Sequence, residues 1–448
     1  MRRRTLVLAG SILVAGVAAI AGHKADHAAS IASIPSSAAG DPAVLAKLAD
    51  QTVMPTEAPA PLPVPIPKPE TGEAVTAAAP SAVAASGLDL DHITRVGDHY
   101  EAPIAGGKRA VLTLDPELQQ LAEHLLDESR APRGAIVAMA PDGRILALAG
   151  RRTEATRGSR TGTFDWHLAT DVWAPAASVF KLVTASALVS AGVDPDDKVC
   201  FHGGIRSVTE SNLVDGKHDS RCESLTYGVA HSNNAILGKL AFQKLDPTAL
   251  AKTAADLALS AALPVGGSAG HMDLPTTHDL SFAQAAAGFA GSQLSVVGGA
   301  LLAATFADDG EQPVPHLVAS IDGVAQPELP RRRALPVTIA RAVGKMMVAT
   351  CDLGSAASSF GKHRDIRVAG KTGTLARSEP FFMEHSWFVG YAPYEKPEII
   401  VSVLLGNPED WHLHGHQVAR RLIDQALHAT SREKDRAEKT TLAKHIQW

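Results

Sequence analysis

Apolar residues recur at two spacings along this 448-residue chain, and each spacing predicts a different kind of element. Short apolar runs between turn residues indicate strands, and apolar residues three or four positions apart indicate helices. In the early part of the chain, the turn sequence Pro141-Asp142-Gly143-Arg144 separates two apolar runs and predicts a hairpin. The early elements are a strand at Val111–Leu114, a helix at Pro116–Glu128 capped by Asp115, and hairpin strands at Ala135–Met139 and Ile145–Ala149.

Helical spacing dominates the middle of the chain. It predicts helices at Ser178–Val189, Ala230–Lys244, Pro247–Leu259, Leu294–Phe306 and Val337–Val348. Two polar, glycine-containing segments lack this spacing, and we expect Arg151–Asp171 to be a loop and Asp194–Ser220 to be irregular. The segment Leu88–Gly107 stays unassigned.

Strand-like runs return near the end of the chain, rich in β-branched and aromatic residues. They are Ile366–Ala369, Lys371–Leu375, Trp387–Tyr391 and Ile399–Leu404, followed by a helix at Gln417–His428. Strands therefore gather at the two ends of the folded region, and short connections between the late strands suit hairpins. The pattern predicts an α+β fold with an antiparallel sheet.

The first 22 residues form a separate segment. Arg2-Arg3-Arg4 precedes an apolar run from Leu6 to Ala21, as in a signal sequence. The run is short for a spanning helix, and Ala19-Ile20-Ala21 offers a cleavage site, so a cleaved signal peptide and a retained signal anchor are both open. We favour the anchor, which tethers the rest of the chain to the inner membrane on its periplasmic side.

Composition divides the remainder of the chain. Residues 23–87 are rich in Ala and Pro and lack apolar periodicity, which predicts a linker. Residues 88–430 then form one folded domain, and residues 431–448 form a charged tail. The net charge of −5 argues against a nucleic-acid-binding protein, whose domain is usually basic.

Ser178 and Lys181 are the first candidate reactive groups. They stand three residues apart just after Pro175, where a helix is predicted to begin, so the hydroxyl and the amine can touch on one helical face. A serine hydroxyl is a poor nucleophile until a base takes its proton, and a lysine kept neutral by burial or by cationic neighbours can be that base. Alone, the pair is common enough to occur by chance.

Two later motifs change this interpretation. Ser232-Asn233-Asn234 and Lys371-Thr372-Gly373 follow Ser178-x-x-Lys181 in order, and the three together resemble the transpeptidase domain of penicillin-binding proteins. The similarity extends from about Lys108 to His428, through the predicted first hairpin and the last two strands. It implies a five-stranded antiparallel sheet flanked by helices, beside an all-helical subdomain, with the active site between them.

The resemblance also implies a role for each motif residue. Ser178 attacks a carbonyl and Lys181 accepts its proton, while Ser232 relays a proton to the leaving amine and Asn234 orients Lys181. Lys371 keeps Lys181 neutral and attracts a carboxylate. Thr372 and Thr374 bind that carboxylate, Gly373 lets the substrate lie against the strand, and the N–H groups of Ser178 and Thr374 form an oxyanion hole.

The implied substrate is a peptidoglycan stem peptide ending in D-Ala-D-Ala, and the implied inhibitors are β-lactams. No cofactor is implied, and cell-wall synthesis proteins are possible partners. A D,D-carboxypeptidase, a β-lactamase and a non-catalytic β-lactam sensor remain alternatives. No Glu-x-x-x-Asn sequence lies between Asn234 and Lys371, so the deacylating glutamate of one β-lactamase class has no counterpart. Ala176-Ala177 stands where the family more often has Pro-Gly, and the acyl acceptor stays undetermined.

Two further clusters contain histidine or cysteine residues. His412-Leu413-His414-Gly415-His416 has the residue type of a metal site but lacks an evident carboxylate or Cys partner beyond Glu409 and Asp410, so we expect a solvated loop and no metal. Cys200 and Cys222 bracket the irregular segment before Ser232. Because disulfides are permitted outside the cytoplasm, we predict that these two cysteines are bridged and that Cys351 is free.

Overall fold

The computed structural model describes residues 87–153, 165–361, 366–378 and 382–428. These residues belong to one compact unit of the chain, Val75–Trp448. The predicted signal segment at 1–22, the linker up to residue 86 and the tail at 431–448 lie outside the described residues. Among the helices of the described part, none has the length and apolar character that a membrane crossing requires.

Seventeen strands are assigned within the described ranges. They are β1 (Thr94–Val96), β2 (His99–Ile104), β3 (Lys108–Leu112), β4 (Arg133–Met139), β5 (Ile145–Arg152), β6 (Ala174–Pro175), β7 (Lys198–Phe201), β8 (Arg221–Ser224), β9 (Gly270–Met272), β10 (Ser292–Leu294), β11 (Glu311–Gln312), β12 (Val318–Ile321), β13 (Val324–Ala325), β14 (Arg332–Arg333), β15 (Ala369–Arg377), β16 (Met383–Ala392) and β17 (Ile399–Asn407).

The helices follow the same chain order. They are α1 (Pro116–Ser129), α2 (His167–Thr170), α3 (Lys181–Ser190), α4 (Leu225–Ala230), α5 (Asn234–Lys244), α6 (Pro247–Asp256), α7 (Leu280–Ala286), α8 (Val296–Ala307), α9 (Val337–Asp352) and α10 (Ala357–Phe360), followed by α11 at residues 415–428.

The central sheet has five strands in the order β15-β16-β17-β4-β5, and all its neighbours pair antiparallel. Side chains alternate between its two faces. On one face Val137 and Leu404 join the core that contains α8, and on the other Ile136 and Val403 join the core that contains α1 and α11. The predicted five-stranded antiparallel sheet flanked by helices is confirmed, and β15 is an edge strand.

The helical subdomain is built from α3 to α7, with α9 beside it. Helix α3 lies at its centre, since eight of its residues from Lys181 to Leu188 are buried. A helix that is apolar all round must be covered on every side, and α4, α5, α6 and α9 all contact α3. The predicted helical subdomain is therefore present, and it contacts the sheet through the turn before α3 and β15.

A second five-stranded sheet, in the order β1-β2-β3-β12-β13, was not predicted. Two of its strands come from the segment Leu88–Gly107, which was unassigned. The sheet depends on the pairing of Val318 with Leu112, two residues far apart in the chain. Periodicity within a short window carries no information about such a partner.

Several predicted elements differ from the structure. The loop expected at Arg151–Asp171 contains the end of β5 and helix α2. The helix predicted at Ala230–Lys244 is two helices, because the chain turns at residues 231–233 between α4 and α5. The helix predicted from Ser178 begins as a 3-10 turn at Ala177–Phe180, and α3 starts at Lys181. The separate strand predicted at Ile366–Ala369 does not form; β15 is continuous from Ala369.

The predicted disulfide between Cys200 and Cys222 is confirmed. The two cysteines face each other across the β7–β8 pair, so the segment expected to be irregular is closed by a small hairpin at its base. Cys351 is free and buried, as predicted. The bridge closes the loop of residues 201–221. This hairpin contacts α5 through Lys239, whose Nζ donates to Cys200 O at 2.8 Å.

Candidate active site

Ser178 lies in a tight turn at the start of α3. Pro175 ends β6, Ala176 caps the turn, and Ala177 adopts the left-handed conformation with φ of 49°. Non-glycine residues rarely adopt this conformation, and it is retained where the surrounding structure demands it. Gly288 packs against the turn so closely that a Cβ on it would lie 2.2 Å from Ala177 O. The turn is therefore held from outside, with Ser178 half-buried at its surface.

Lys181 is completely buried and is surrounded by neutral acceptors. Its Nζ donates to Ser178 Oγ at 2.6 Å, to Asn234 Oδ1 at 2.7 Å and to Ala287 O at 2.8 Å. Burial, assisted by the nearby charge of Lys371, holds the pKa of Lys181 well below its usual value. A neutral amine in contact with a hydroxyl group can accept its proton and so act as a base.

Ser232 and Asn234 lie where the predicted long helix is broken. Ser232 has a φ of 56°, and Asn233 caps α5 by accepting from Ile236 N. The break turns the Ser232 hydroxyl toward Lys371, whose Nζ donates to it at 3.0 Å. Asn234 points the other way, to Lys181, and its Nδ2 donates to Ile205 O at 3.1 Å.

Lys371 lies on the edge strand β15 and is also completely buried. Besides Ser232, its Nζ contacts Thr372 O at 2.9 Å. Burial lowers the pKa of Lys371 to about 7, so both its charged and its neutral form are accessible near neutral pH. The side chain of Thr372 hydrogen-bonds Ser355 at 2.5 Å.

Gly373 has a packing reason that sequence reasoning missed. A Cβ at this position would lie 3.2 Å from Val179 Cγ2 and 3.3 Å from Val179 N, tighter than ordinary contact. The glycine thus lets β15 approach the turn that carries Ser178. Its expected contact with substrate stays a prediction.

These groups open into one cavity of about 640 Å³. Five of the predicted residues line it: Ser178, Ser232, Asn234, Thr372 and Thr374. Lys181 and Lys371 lie beneath it, each hydrogen-bonded to a lining serine. The fold thus brings the predicted residues together in two hydrogen-bonded groups, one around Lys181 and one around Lys371. Among the described residues, no hydrogen bond joins Ser232 directly to Lys181.

Sequence reasoning missed several residues of the cavity. Its lining also includes Ile205, Arg206, Phe289, Ser355 and Glu384. The backbone carbonyl of Ala287 accepts a hydrogen bond from Lys181. None of them belongs to a motif, and they come from four separate segments of the chain: residues 205–206, residues 287–289, the turn after α9 that contains Ser355, and β16. No sequence signal marks them, because their proximity to Ser178 arises only from folding.

The histidine cluster forms ordinary side-chain contacts. His414 Nδ1 lies 3.2 Å from Ser386 Oγ, and His416 Nε2 lies 3.4 Å from Ser358 Oγ. Burial lowers the pKa of both rings, that of His416 to about 4. Within the part of the chain that the structure describes, no group of three or more potential ligands could hold a metal ion. His414 and His416 are half-buried whereas His412 is exposed, so the expected solvated loop was wrong for the first two rings and right for the third.

Comparison with known families decides the identity of the domain. A sequence model of the penicillin binding protein transpeptidase domain matches residues 134–427. The chain belongs to the penicillin-binding protein transpeptidase family. The match spans β4 to α11 and includes all three motifs.

Individual relatives agree with this assignment. The chain is 24% identical over 364 residues to the peptidoglycan D,D-transpeptidase PbpA of Mycolicibacterium smegmatis, covering 70% of this chain and 71% of that protein. It is 26% identical over 142 residues to the peptidoglycan D,D-transpeptidase MrdA of Haemophilus influenzae, covering 27% of this chain and 22% of that one.

Solved structures show the same fold. The crystal structure of PBPA from Mycobacterium tuberculosis matches with a TM-score of 0.58 at 21% identity, over 73% of this chain and 82% of that one. The D,D-transpeptidase domain of a peptidoglycan glycosyltransferase from Eggerthella lenta matches with a TM-score of 0.58 at 25% identity, over 73% and 85%. These likenesses extend the family assignment to the three-dimensional arrangement of sheet and helices.

Proposed function

We propose that this penicillin-binding protein is a serine D,D-transpeptidase, which forms an acyl-enzyme on Ser178 with peptidoglycan stem peptides ending in D-Ala-D-Ala. The observation that carries the proposal is the contact of 2.6 Å between Ser178 Oγ and the buried Lys181 Nζ. The relatives named peptidoglycan D,D-transpeptidases support the reaction type.

In the first step, Ser178 Oγ attacks the carbonyl carbon between the two D-alanines while Lys181 Nζ takes the hydroxyl proton. The carbonyl oxygen becomes an oxyanion, which the backbone N–H groups of Ser178 and Thr374 stabilise. The C–N bond then breaks, and the proton passes to the departing amine. Ser232 fits the role of relay, because its hydroxyl lies in the cavity and is fixed by Lys371.

In the second step, the amine of a neighbouring strand attacks the ester carbonyl. It loses a proton to Lys181, the ester C–O bond breaks, and Ser178 Oγ recovers a proton. Asn234 orients Lys181 through both steps, because it contacts Nζ at 2.7 Å and is itself held by Ile205 O. The acyl group ends in an amide, and the enzyme returns to its starting state.

Recognition of the terminal carboxylate falls to β15. When protonated, Lys371 places a positive charge at the base of the cavity, and the hydroxyls of Thr372 and Thr374 line its wall. Gly373 lets β15 lie close to the turn that carries Ser178. These donors suit a carboxylate, which is present both in a D-Ala-D-Ala peptide and in a β-lactam.

Hydrolysis of the acyl-enzyme is the second candidate, in a D,D-carboxypeptidase or a β-lactamase. It needs a base within hydrogen-bond reach of a water at the ester carbon. Among the described residues that line the cavity, Glu384 is the acidic one. It pairs with Ala376, two residues beyond Thr374 and one strand away from it, so its Cα lies roughly 8 Å from that of Thr374, too far for the backbone to place it beside the ester carbon. That position favours transfer over hydrolysis. A non-catalytic sensor is less well supported, since the reactive pair is in contact.

The proposal places the enzyme in the cell envelope, facing peptidoglycan. The disulfide between Cys200 and Cys222 fits an oxidising compartment outside the cytoplasm. An N-terminal anchor in residues 1–22 attaches it to the inner membrane, and cell-wall synthesis proteins are its expected partners. Fractionation of membranes, with detection of the intact N-terminus, distinguishes anchor from cleaved signal.

Labelling with fluorescent penicillin tests the proposed chemistry directly. The purified full chain is expected to become labelled and to keep the label for hours, and Ser178→Ala is expected to abolish it. Equal labelling of the wild type and Ser178→Ala would sink the mechanism. Rapid release of the label as hydrolysed drug would move the assignment to β-lactamase. Incubation with a D-Ala-D-Ala peptide, with and without an amine acceptor, then separates transpeptidase from carboxypeptidase.

A further inference from the structure

Glu384 is a carboxylate in the active-site cavity for which the proposed reaction has no use. It lies on β16 with 21% of its side chain exposed, among the residues that line the cavity. Burial raises its pKa. Its Oε1 is buried and makes no hydrogen bond to any described residue. The cavity thus contains an acidic group with unused capacity to accept hydrogen bonds.

Among the described residues, no lysine or arginine offsets the burial of Glu384. The ring atom His414 Nδ1 lies 3.7 Å from Oε1, but it contacts Ser386 Oγ at 3.2 Å. Burial lowers the pKa of His414, so this ring is neutral near pH 7. A buried carboxylate without a cationic partner is costly, and a positive group on a ligand removes that cost.

The two ends of the cavity are lined by different residues, and this difference determines which part of a substrate reaches Glu384. Lys371, Thr372 and Ser355 occupy one end and suit the terminal carboxylate. Leu375, Ala376 and Glu384 occupy the other end of the same wall. Because the carboxylate belongs to the leaving D-alanine, the acyl part of the peptide must extend from Ser178 toward Glu384.

The edge strand guides the peptide in that direction. Strand β15 has β16 on one side and an unpaired edge on the other, and an extended peptide can add to such an edge. Ala376 and Glu384 are cross-strand partners, as are Thr374 and Ser386, so Glu384 lies one pleat beyond Thr374 on the same face. A side chain of the bound peptide can reach it across the strand.

The distances fit the residue that precedes the two D-alanines. Its Cα is one residue from the acyl residue, about 3.8 Å away, and a four-carbon side chain extends a further ~6 Å. Along the strand, Glu384 is level with Ala376, two residues or about 7 Å beyond Thr374, so the residue preceding the two D-alanines lies within one residue of its level. Across the sheet, a peptide on the edge of β15 is two strand spacings, or about 10 Å, from β16. The extended four-carbon side chain and the side chain of Glu384 together span roughly that distance. The acceptor amine cannot occupy this position, because it must lie at the ester carbon.

We propose that Glu384 is a specificity-determining residue, which binds the side-chain ammonium group of the residue preceding D-Ala-D-Ala in the donor peptide. This inference rests on the proposed acylation of Ser178. It predicts a preference for donor peptides with a free amine at that position over the same peptides with the amine acetylated.

Two synthetic peptides and three forms of the full chain test the preference. The peptides are Nα-acetyl-L-Lys-D-Ala-D-Ala and its Nα,Nε-diacetylated counterpart, and the measurement is kcat/KM for release of D-alanine. The proteins are the wild type, Glu384→Gln and a matched control, Glu328→Gln, which removes an exposed carboxylate from the loop before β14. We expect the wild type and the control to prefer the free amine by about tenfold, and Glu384→Gln to lose the preference.

The outcomes separate this inference from the proposed function. If penicillin labels the wild type but Glu384→Gln keeps the peptide preference, or the wild type has none, the inference is overturned and the acylation chemistry stands. If Glu384→Gln instead prolongs the penicillin adduct, Glu384 activates water, and amine recognition is likewise overturned. If the wild type is neither labelled nor active on either peptide, both proposals fail.

Discussion

Two helical lysines of this protein, Lys181 and Lys239, are both completely buried, yet their neighbours shift their pKa values in opposite directions. Lys181 contacts a hydroxyl, an amide oxygen and a backbone carbonyl. Lys239, on α5, contacts Asp219 at 2.7 Å and Asp215 at 2.8 Å. Lys239 is paired with carboxylates and forms a structural ion pair, whereas Lys181 has neutral acceptors and is the reactive amine.

The electrostatics follow from these partners. Burial alone lowers the pKa of any lysine, since it penalises the charged form. At Lys239, the hydrogen bonds that its ammonium donates to Asp215 and Asp219 outweigh burial and raise the pKa of the lysine. Hydrogen bonds with His202 and Lys239 in turn lower the pKa of Asp219 to about 2. At Lys181, the nearby Lys371 adds to the effect of burial. Burial is therefore insufficient to identify a catalytic lysine; the charges that face it decide.

The comparison predicts its largest effect on the reaction rate. Replacing the base by an apolar side chain of similar length, Lys181→Met, is expected to slow acylation of Ser178 by about 10³-fold, because the hydroxyl loses its proton acceptor. Stopped-flow measurement of penicillin acylation gives the rate. A decrease of less than tenfold would show that another group removes the proton.

The second effect is on stability. The substitution Lys239→Met leaves the carboxylate of Asp219, whose side chain is 5% exposed, with His202 as its remaining side-chain partner, at 2.6 Å. Loss of one partner of a buried ion pair costs about 3–5 kcal/mol when the remaining charge is uncompensated. Because His202 compensates part of it, we expect the free energy of unfolding to fall by about 3 kcal/mol, as measured by urea titration. The acylation rate of the folded fraction is expected to change little.

A matched control sharpens this prediction. Asp215 contacts the same amine, but its side chain is 86% exposed, and exposed pairs contribute about 1 kcal/mol or less. Asp215→Asn is therefore expected to be nearly neutral. Equal destabilisation by Asp215→Asn and Lys239→Met would contradict the argument that burial of Asp219 is responsible.

The disulfide between Cys200 and Cys222 also stabilises the hairpin that contacts Lys239. Removing it in the double variant Cys200→Ser/Cys222→Ser is expected to reduce the free energy of unfolding by about 3 kcal/mol, the value typical of a cross-link that closes a loop of this length. The acylation rate is expected to fall only severalfold, because Asn234 retains its contact with Lys181. Unchanged stability by calorimetry under oxidising and reducing conditions would refute this account.

The smallest effect concerns pH and contrasts Lys371 with Lys239. Burial lowers the pKa of Lys371 to about 7, so its positive charge is present below that pH and is lost as the pH rises through it. Acylation by a carboxylate-bearing penicillin is expected to fall about tenfold as this charge is lost. Protonation of Lys181 slows the reaction at low pH, giving a bell-shaped profile.

The profile separates the two kinds of lysine. Because the pKa of Lys239 is raised, the substitution Lys239→Met is expected to leave the alkaline limb unchanged. A rate that continues to rise from pH 7 to 9 would show that the charge on Lys371 is dispensable for binding the carboxylate.

Local signals in the sequence determined much of this fold. The helix after Asp115, the hairpin around residues 141–144 and the late strands β16 and β17 follow from spacing and turn residues within a few positions. The pairing of Ser178 with Lys181 was also predictable, because residues three apart on one helical turn must be neighbours. The three motifs identified the family, and the family resemblance in turn predicted the arrangement of sheet and helices.

Tertiary structure decided the rest. The approach of Lys371 to Ser232, the carbonyl of Ala287 on Lys181 and the position of Glu384 in the cavity all join segments that are distant in the chain. The break at Ser232 overrides a continuous helical pattern, since its left-handed backbone is imposed by the surrounding contacts. Spacing reports which face a residue occupies, but only the packed fold determines which charges meet there, and those charges determine which buried lysine is reactive.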